Sequence, residues 1–259
     1  MLENKADVNN TELVIAYKDC SDFSLDNLRY LLDVCPTKIV VIYDEKEPKD
    51  YILNDKIRYI KNQGGRCWSK IHNQGIRETE SQYVILSAWR SRPKVEHFQK
   101  VFDNLNNGFA FVDLCLLHFT ALNKQVVGKF GLFDEGFKFG HCEDWDLYNR
   151  IWSGNYGVYL TNEIPELKKT TTWSDNNKIG PFNAENYQYY KSKWQSVGRE
   201  LIQLKKEVNY SDRKLFREKY GVGEFLKAEH SVIGDHWAKG QCFEAHDKFT
   251  DSTKMSFSL

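Results

Sequence analysis

Glu143, Asp144 and Asp146 stand within four residues of one another, directly behind a stretch punctuated by Gly128, Gly131, Gly136 and Gly140 and rich in phenylalanine. The acids lead into an apolar helical pattern through Leu147, Ile151 and Trp152. Free backbone N–H groups and the positive dipole end favour acids at a helix start. That accounts for one or two of them. Three behind a glycine-rich, aromatic loop also suit a site where a carboxylate accepts a proton from a substrate hydroxyl. Neighbouring carboxylates raise each other's proton affinity, which helps one act as a base near neutral pH. Residue types alone leave both readings standing.

The run Gly131-Leu132-Phe133-Asp134-Glu135-Gly136-Phe137, then Glu143-Asp144-Trp145-Asp146-Leu147 and Arg150, resembles the G-x-F-D-E-x-F … E-D-x-D-L-x-x-R signature of family 2 nucleotide-sugar glycosyltransferases with the GT-A fold. The resemblance covers roughly residues 12–160. It implies a mixed, mostly parallel α/β sheet flanked by helices. It also implies a nucleoside diphosphate sugar donor, such as a UDP-sugar, and an acceptor hydroxyl. Asp144 is then the general base, with Glu143 as its neighbour or substitute, and Asp146 stabilises the helix. Family members mostly invert the anomeric centre.

The elements that must position these groups begin with a buried strand over Glu12–Tyr17. A helix follows, with Ser24 as N-cap, Leu25, Leu28, Leu31 and Leu32 on one face, and Pro36 as its stop. Lys38–Tyr43 is a second buried strand. This β-α-β order predicts parallel strands with a right-handed crossover, and ligands beyond their carboxyl ends. Tyr17, Lys18, Asp19 and Asp44 then lie at the mouth of a site. By resemblance Asp44 contacts the donor base, and Ala16, Tyr17 and Lys18 lie beside base and ribose. A plain turn before Glu45 and Lys46 is the competing reading of Asp44. Ile57–Ile60 reads as a third strand, and Gly64-Gly65-Arg66 as a turn. Residues 67–76 form a helix with Asn73 and Gly75 near its end, similar to the family's A-x-N-x-G helix. Arg66 and Lys70 either reach the diphosphate or form a solvated helix face.

The central strand, Tyr83–Leu86, ends in Ser87-Ala88-Trp89-Arg90-Ser91-Arg92-Pro93. In the family an Asp-x-Asp pair follows this strand and holds Mn2+ or Mg2+ on the donor diphosphate, because a hard cation needs carboxylate oxygens. Here those acids are absent. One reading has Arg90 and Arg92 neutralise the diphosphate directly, as guanidinium forks match phosphate oxygens. Ser87 and Trp89 then line the donor side. A second keeps the metal on groups such as Asp113, Glu143 and His236. A third has a site that only binds. In the blandest reading Ser91 and Pro93 start a helix over Val95–Leu105, with the arginines in solvent.

In the acceptor half, Phe109–Leu114 is a strand and Cys115–Ala121 continues the sheet. Asn123 caps a short helix over Lys124–Val127, and Gly157–Leu160 is a last strand. Asn183 opens a long helix with an aromatic stripe through Tyr187, Tyr190 and Trp194. Residues 205–219 are locally basic. By resemblance to GT-A enzymes that supply a histidine from a C-terminal loop, His236 is the candidate metal ligand, ahead of His230 and His246. The chain divides into a donor half (12–114), an acceptor half (115–180) and a helical extension (181–259) of one domain.

Lysine plus arginine equals aspartate plus glutamate at 36 each, so overall charge argues neither for nor against an anionic polymer as partner. The six cysteines form no Cys-x-x-Cys pair, which argues against a zinc ribbon. No signal segment or apolar run of membrane length appears, and a reducing, cytoplasmic setting is expected, the host's if the protein is viral. A saccharide, free or lipid-linked, is one acceptor. The hydroxyl of a modified DNA base, as in bacteriophage DNA glycosyltransferases, is the other. Two readings compete: a non-catalytic binding module on the same fold, and a nucleotidyltransferase. The latter should need acids after the central strand.

Overall fold

The computed structural model describes residues 5–17, 22–43, 52–63, 67–89, 91–115, 117–137, 142–153, 156–160, 166–167, 185–186 and 188–190 of the 259-residue chain. Apolar runs become strands, and amphipathic stretches between them become helices. The order is β1 (Thr11–Tyr17), α1 (Asp22–Val34), β2 (Lys38–Tyr43), β3 (Ile57–Lys61), α2 (Trp68–Glu78), β4 (Tyr83–Ala88) and β5 (Ser91–Arg92). Then come α3 (Val95–Asn106), β6 (Phe109–Asp113), β7 (Phe119–Asn123), α4 (Lys124–Phe130), α5 (Glu143–Ser153), β8 (Gly157–Leu160) and β9 (Glu166–Leu167).

Seven strands form one mixed, mostly parallel sheet in the order β3-β2-β1-β4-β7-β6-β8. β7 is antiparallel to both its neighbours, while the other pairings in the sheet are parallel. The seven-stranded sheet with helices on both faces is the GT-A-like architecture expected from the sequence. Period-two alternation sends successive side chains to opposite faces. Leu13 and Ile15 therefore meet Leu28 and Leu31 of α1 and Phe98 and Val101 of α3. Val14 and Leu86 meet Ile76 of α2, Val127 of α4 and Leu147 and Ile151 of α5.

Gly75 shows how tightly α2 is seated. A Cβ there would lie 2.3 Å from Val14 Cγ1. Gly75 and Asn73 thus lie within α2, which continues to Glu78, because the helix needs a glycine where it crosses β1 rather than where it ends.

Other expected boundaries move as well. α1 begins at Asp22, so Ser24 lies within the first turn and is not the residue ahead of it. α4 runs to Phe130 before Gly131, at φ +80, ends it, and Asn123 Oδ1 caps its start by accepting from Gln125 and Val126 N–H. Cys115, Leu117 and His118 do not extend the sheet. Asp113 accepts from the backbone N–H of Cys115 and Leu117, Leu117 takes φ +62, and the chain turns back into β7. The long helix expected from Asn183 falls almost wholly outside the described residues. Among the described residues no helix is long and apolar enough to cross a membrane.

Candidate functional site

The signature loop is held by side chains from three directions. Asn73 of α2 donates from Nδ2 to the Phe133 carbonyl at 2.7 Å and accepts from Phe133 N–H at 3.0 Å. It also donates to Glu135 at 3.0 Å, and Arg77, one turn further along α2, ion-pairs with the same carboxylate at 3.4 Å. Asp134 accepts from Gly136 N–H and from the Tyr189 hydroxyl, and the Tyr189 ring meets Phe137 edge-on at 5.0 Å. Arg150 of α5 donates to the carbonyls of Phe130, Gly131 and Leu132 while its Nε is held by the fully buried Asp146 at 2.8 Å. Much of the signature is thus a set of clamps on the chain between α4 and α5.

Glu143, Asp144 and Asp146 occupy the first turn of α5, as the sequence suggests. Glu143 is 4% exposed and Asp146 is fully buried. Asp144 keeps part of its surface accessible. Burial of its carboxyl raises its pKa to about 7, and the charge of Asp113 adds to the rise, while backbone hydrogen bonds from Trp145 and its own N–H oppose it. Cys142, immediately before the helix, sits at φ +68, a conformation non-glycine residues adopt only under local constraint. The acids beside it and its own burial push its thiol pKa well up, with burial the largest cause.

Asp113 ends β6 at the same edge of the sheet as the carboxyl end of β4, because its strand partner Thr120 also pairs with Leu86. It is 2% exposed. Oδ2 accepts from the Tyr148 hydroxyl at 2.5 Å, and the two oxygens take the N–H groups of Cys115 and Leu117. Burial raises its pKa against those hydrogen bonds. Its oxygens serve the turn and Tyr148, a different use from the metal ligation considered above. Sequence reasoning missed the Asp113–Tyr148 contact. The available signal was that Tyr148 lies four residues after Asp144, on the same helix face.

On the donor side, Ala16 and Tyr17 close β1, and Ala16 pairs with Ala88 of β4. Ser87 is fully buried, and its backbone pairs with Ile15 and Phe119. Trp89 packs against the α1–α3 side of the core, and its carbonyl accepts from Asn27 Nδ2 at 2.7 Å. Arg92 lies in β5, ion-paired with Asp26 at 2.5 Å and stacked over Tyr30 at 5.0 Å. Lys70 is partly buried on α2. The structure thus gathers Ala16, Tyr17, Ser87 and Trp89 at one end of the sheet, and places Arg92 against α1. Lys18, Asp44, Arg66, Arg90 and His236 lie outside the described residues.

Among the described residues no group of three His, Cys, Asp or Glu side chains could hold a metal ion. The end of β4 carries no acid, so the residues described there do not fit the carboxylate-bound cation of the family pattern.

No protein-family model matches the chain, and no curated protein matches it. Among solved structures, the fold is similar to a mannosyltransferase from Pyrobaculum calidifontis in complex with GDP-Man and Mn2+. That likeness has a TM-score of 0.54 at 8% identity, and covers 95% of this chain and 88% of the other. A 4-diphosphocytidyl-2C-methyl-D-erythritol synthase from Anaerococcus prevotii aligns with a TM-score of 0.48 at 14% identity, over 69% of this chain and 97% of the other. At such identities the likeness concerns the fold.

Proposed function

We propose that this chain transfers a glycosyl group from a nucleoside diphosphate sugar to an acceptor hydroxyl, with Asp144 as general base. The observation that carries the reading is Asp144 itself, a half-buried residue in the first turn of α5 whose carboxyl is pushed up to a pKa of about 7, chiefly by burial. A base poised near the working pH combines a useful ionised fraction with a real affinity for the proton it removes. The GT-A-like fold supports the same reading, since a protein of that fold was solved with GDP-Man.

The acceptor O–H proton goes to Asp144 as the oxygen forms its bond to the anomeric carbon. The bond from that carbon to the diphosphate oxygen breaks, and the nucleoside diphosphate leaves with the electron pair. Direct displacement of this kind inverts the anomeric centre. The donor lies over Ala16, Tyr17 and Trp89, with Lys18, Asp44, Arg66 and Lys70 as further contacts, while Ser87, fully buried within the sheet, touches no donor. Arg90 and Arg92 supply positive charge to the departing diphosphate in place of an acid-bound cation. For Arg92 this requires the phosphate to compete with Asp26, whose side chain is 49% exposed.

The test is transfer and donor hydrolysis across a panel of nucleotide sugars, with and without EDTA, on the wild type and on Asp144→Asn. Turnover that survives EDTA and falls by about 100-fold or more in the variant, within the range for general bases, is the expected result. Turnover abolished by EDTA overturns the arginine assignment. Turnover unchanged in the variant overturns the base assignment. Donor binding with no turnover makes the acceptor the missing reagent, and saccharide and hydroxylated-base DNA acceptors are then compared.

A further inference from the structure

We propose that Asp113 is a positioning residue for Asp144: it anchors α5 through the Tyr148 hydroxyl, one turn beyond the base. The inference rests on Asp144 acting as the base. Its geometric ground is a continuous set of contacts. Asp113 ends β6, and its oxygens take the N–H groups of Cys115 and Leu117. Those bonds hold the turn in which Leu117 sits at φ +62. The same carboxylate receives the Tyr148 hydroxyl at 2.5 Å. Tyr148 is 2% exposed and lies one helical turn beyond Asp144, so the two share a face of α5. A buried carboxylate with three donors is a stiff anchor, because moving any donor leaves a charge unsatisfied in a low-dielectric site.

The charge relationship follows from the same arrangement. β6, α4 and β8 run alongside α5, and its Leu147 and Ile151 also share a core cluster with Val14 of β1, Leu86 of β4 and Ile76 of α2. The titratable side chains of β6, α4 and β8 are Asp113, Lys124, Lys129 and Tyr159, with Tyr156 just before β8 and Tyr190 beside Trp145. On α2 and β1, His72 stacks on Trp68, Arg77 pairs with Glu135, and Glu12 accepts from the N–H groups of Glu80 and Ser81. Lys124 is directed to the Thr79 carbonyl, Lys129 to the Tyr156 hydroxyl, and Tyr159 packs on the opposite face of the sheet. On α5 itself, Asp146 is paired with Arg150, and Glu143 and Cys142 adjoin the base. Asp113 is the neighbour whose charge opposes ionisation of Asp144. A like charge held near a carboxyl disfavours its ionisation, so removing that charge should make Asp144 more acidic.

The experiment is an NMR titration of full-length protein carrying [13Cγ]aspartate, comparing wild type, Asp113→Asn and Tyr148→Phe, with Asp144→Asn to assign the resonance. Asp113→Asn removes the neighbouring charge, and the Asp144 midpoint should fall by about one unit, tenfold in proton affinity. Tyr148→Phe leaves Asp113 in place without its hydroxyl donor. It should lower the midpoint less and reduce kcat more than it changes donor KM. An Asp144 midpoint unmoved in both variants, each with a wild-type amide spectrum, overturns the proposal. If Asp113→Asn does not fold, Tyr148→Phe decides alone. Turnover retained in Asp144→Asn removes the base assignment, while the carboxyl titration still reports whether the pair is coupled, so the two failures are distinguishable.

Discussion

Asp146 accepts from Arg150 Nε at 2.8 Å across one turn of α5, and the Arg150 guanidinium donates onward to three successive carbonyls at the end of α4. The acid fixes the arginine, and the arginine caps the chain where α4 has run out of its own N–H partners. A single ion pair thereby couples the acidic helix to the glycine loop in front of it.

Arg150→Ala removes the guanidinium from the fully buried Asp146. Breaking a buried pair from one side costs roughly 3–5 kcal/mol. A urea titration should show that loss. Arg150→Lys should recover only a small part of it, because an ammonium cannot reproduce the fork onto Phe130, Gly131 and Leu132. Full recovery with lysine would mean that charge alone, without the carbonyl contacts, carries the effect.

Gly75→Ala places a methyl group 2.3 Å from Val14 Cγ1, inside a core where Val14 is fully buried. Overpacking of this kind costs about 1–3 kcal/mol. In the Gly75→Ala/Val14→Ala double variant the clash is gone, so the two losses should sum to more than the double variant shows. Strict additivity in a double-mutant cycle would place the clash elsewhere.

The sequence revealed the sheet well because its strands are continuous apolar runs separated by polar or glycine turns. β8 and the start of α5 fall where the pattern puts them. The turn at Cys115 and Leu117 did not read correctly because it is held by Asp113, an acceptor whose role no local apolar pattern reports. The acids of α5 were legible as a group, but their roles were not. Asp146 and Asp144 are two residues apart, yet one faces Arg150 and the core while the other keeps an accessible surface. Asn73 was visible as part of a motif, and its bonds to Phe133, sixty residues away, were not.

The raised pKa of Asp144 has a sign that can be measured without substrate. In the unfolded chain an aspartate titrates near 3.9, and in the fold Asp144 titrates at about 7. The native state therefore holds more protons between those values, and this residue's contribution to stability is lost as pH rises through about 7. Asp144→Asn should raise the urea midpoint at pH 8 relative to wild type and change it little at pH 4. A variant less stable than wild type at pH 8 would contradict a desolvated carboxylate. The same residue predicts that kcat/KM falls as pH drops below about 7, where the base is protonated.

His72 has the opposite sign. It is 3% exposed, stacked on Trp68 at 3.8 Å, and hydrogen-bonded through Nδ1 to the Trp68 carbonyl at 2.8 Å. Burial, the largest cause, lowers its pKa to about 4 against the effect of that carbonyl. The unfolded chain binds the proton first, near 6.5. Stability from the neutral ring is complete above that value and is lost as pH falls towards about 4. His72→Phe keeps an aromatic ring on Trp68 and should flatten the urea midpoint between pH 6.5 and pH 4. An unchanged slope would assign the acid sensitivity to other groups.

The antiparallel strand β7 has a consequence for how the molecule comes into being. β1, β2, β3 and β4 pair among themselves, and all four are complete by residue 88. The other edge of β4 waits for β7, which is synthesised 30 residues or more later and only after β6. Asp113 then meets Tyr148 only once α5 has followed. On a ribosome the donor half can therefore condense before the residues around Asp144 exist, and the far half must dock against an exposed strand edge. Truncation after residue 106, ahead of β6 and β7, should yield a chain with an organised four-stranded sheet, no acidic site and a marked tendency to self-associate through the uncovered edge of β4.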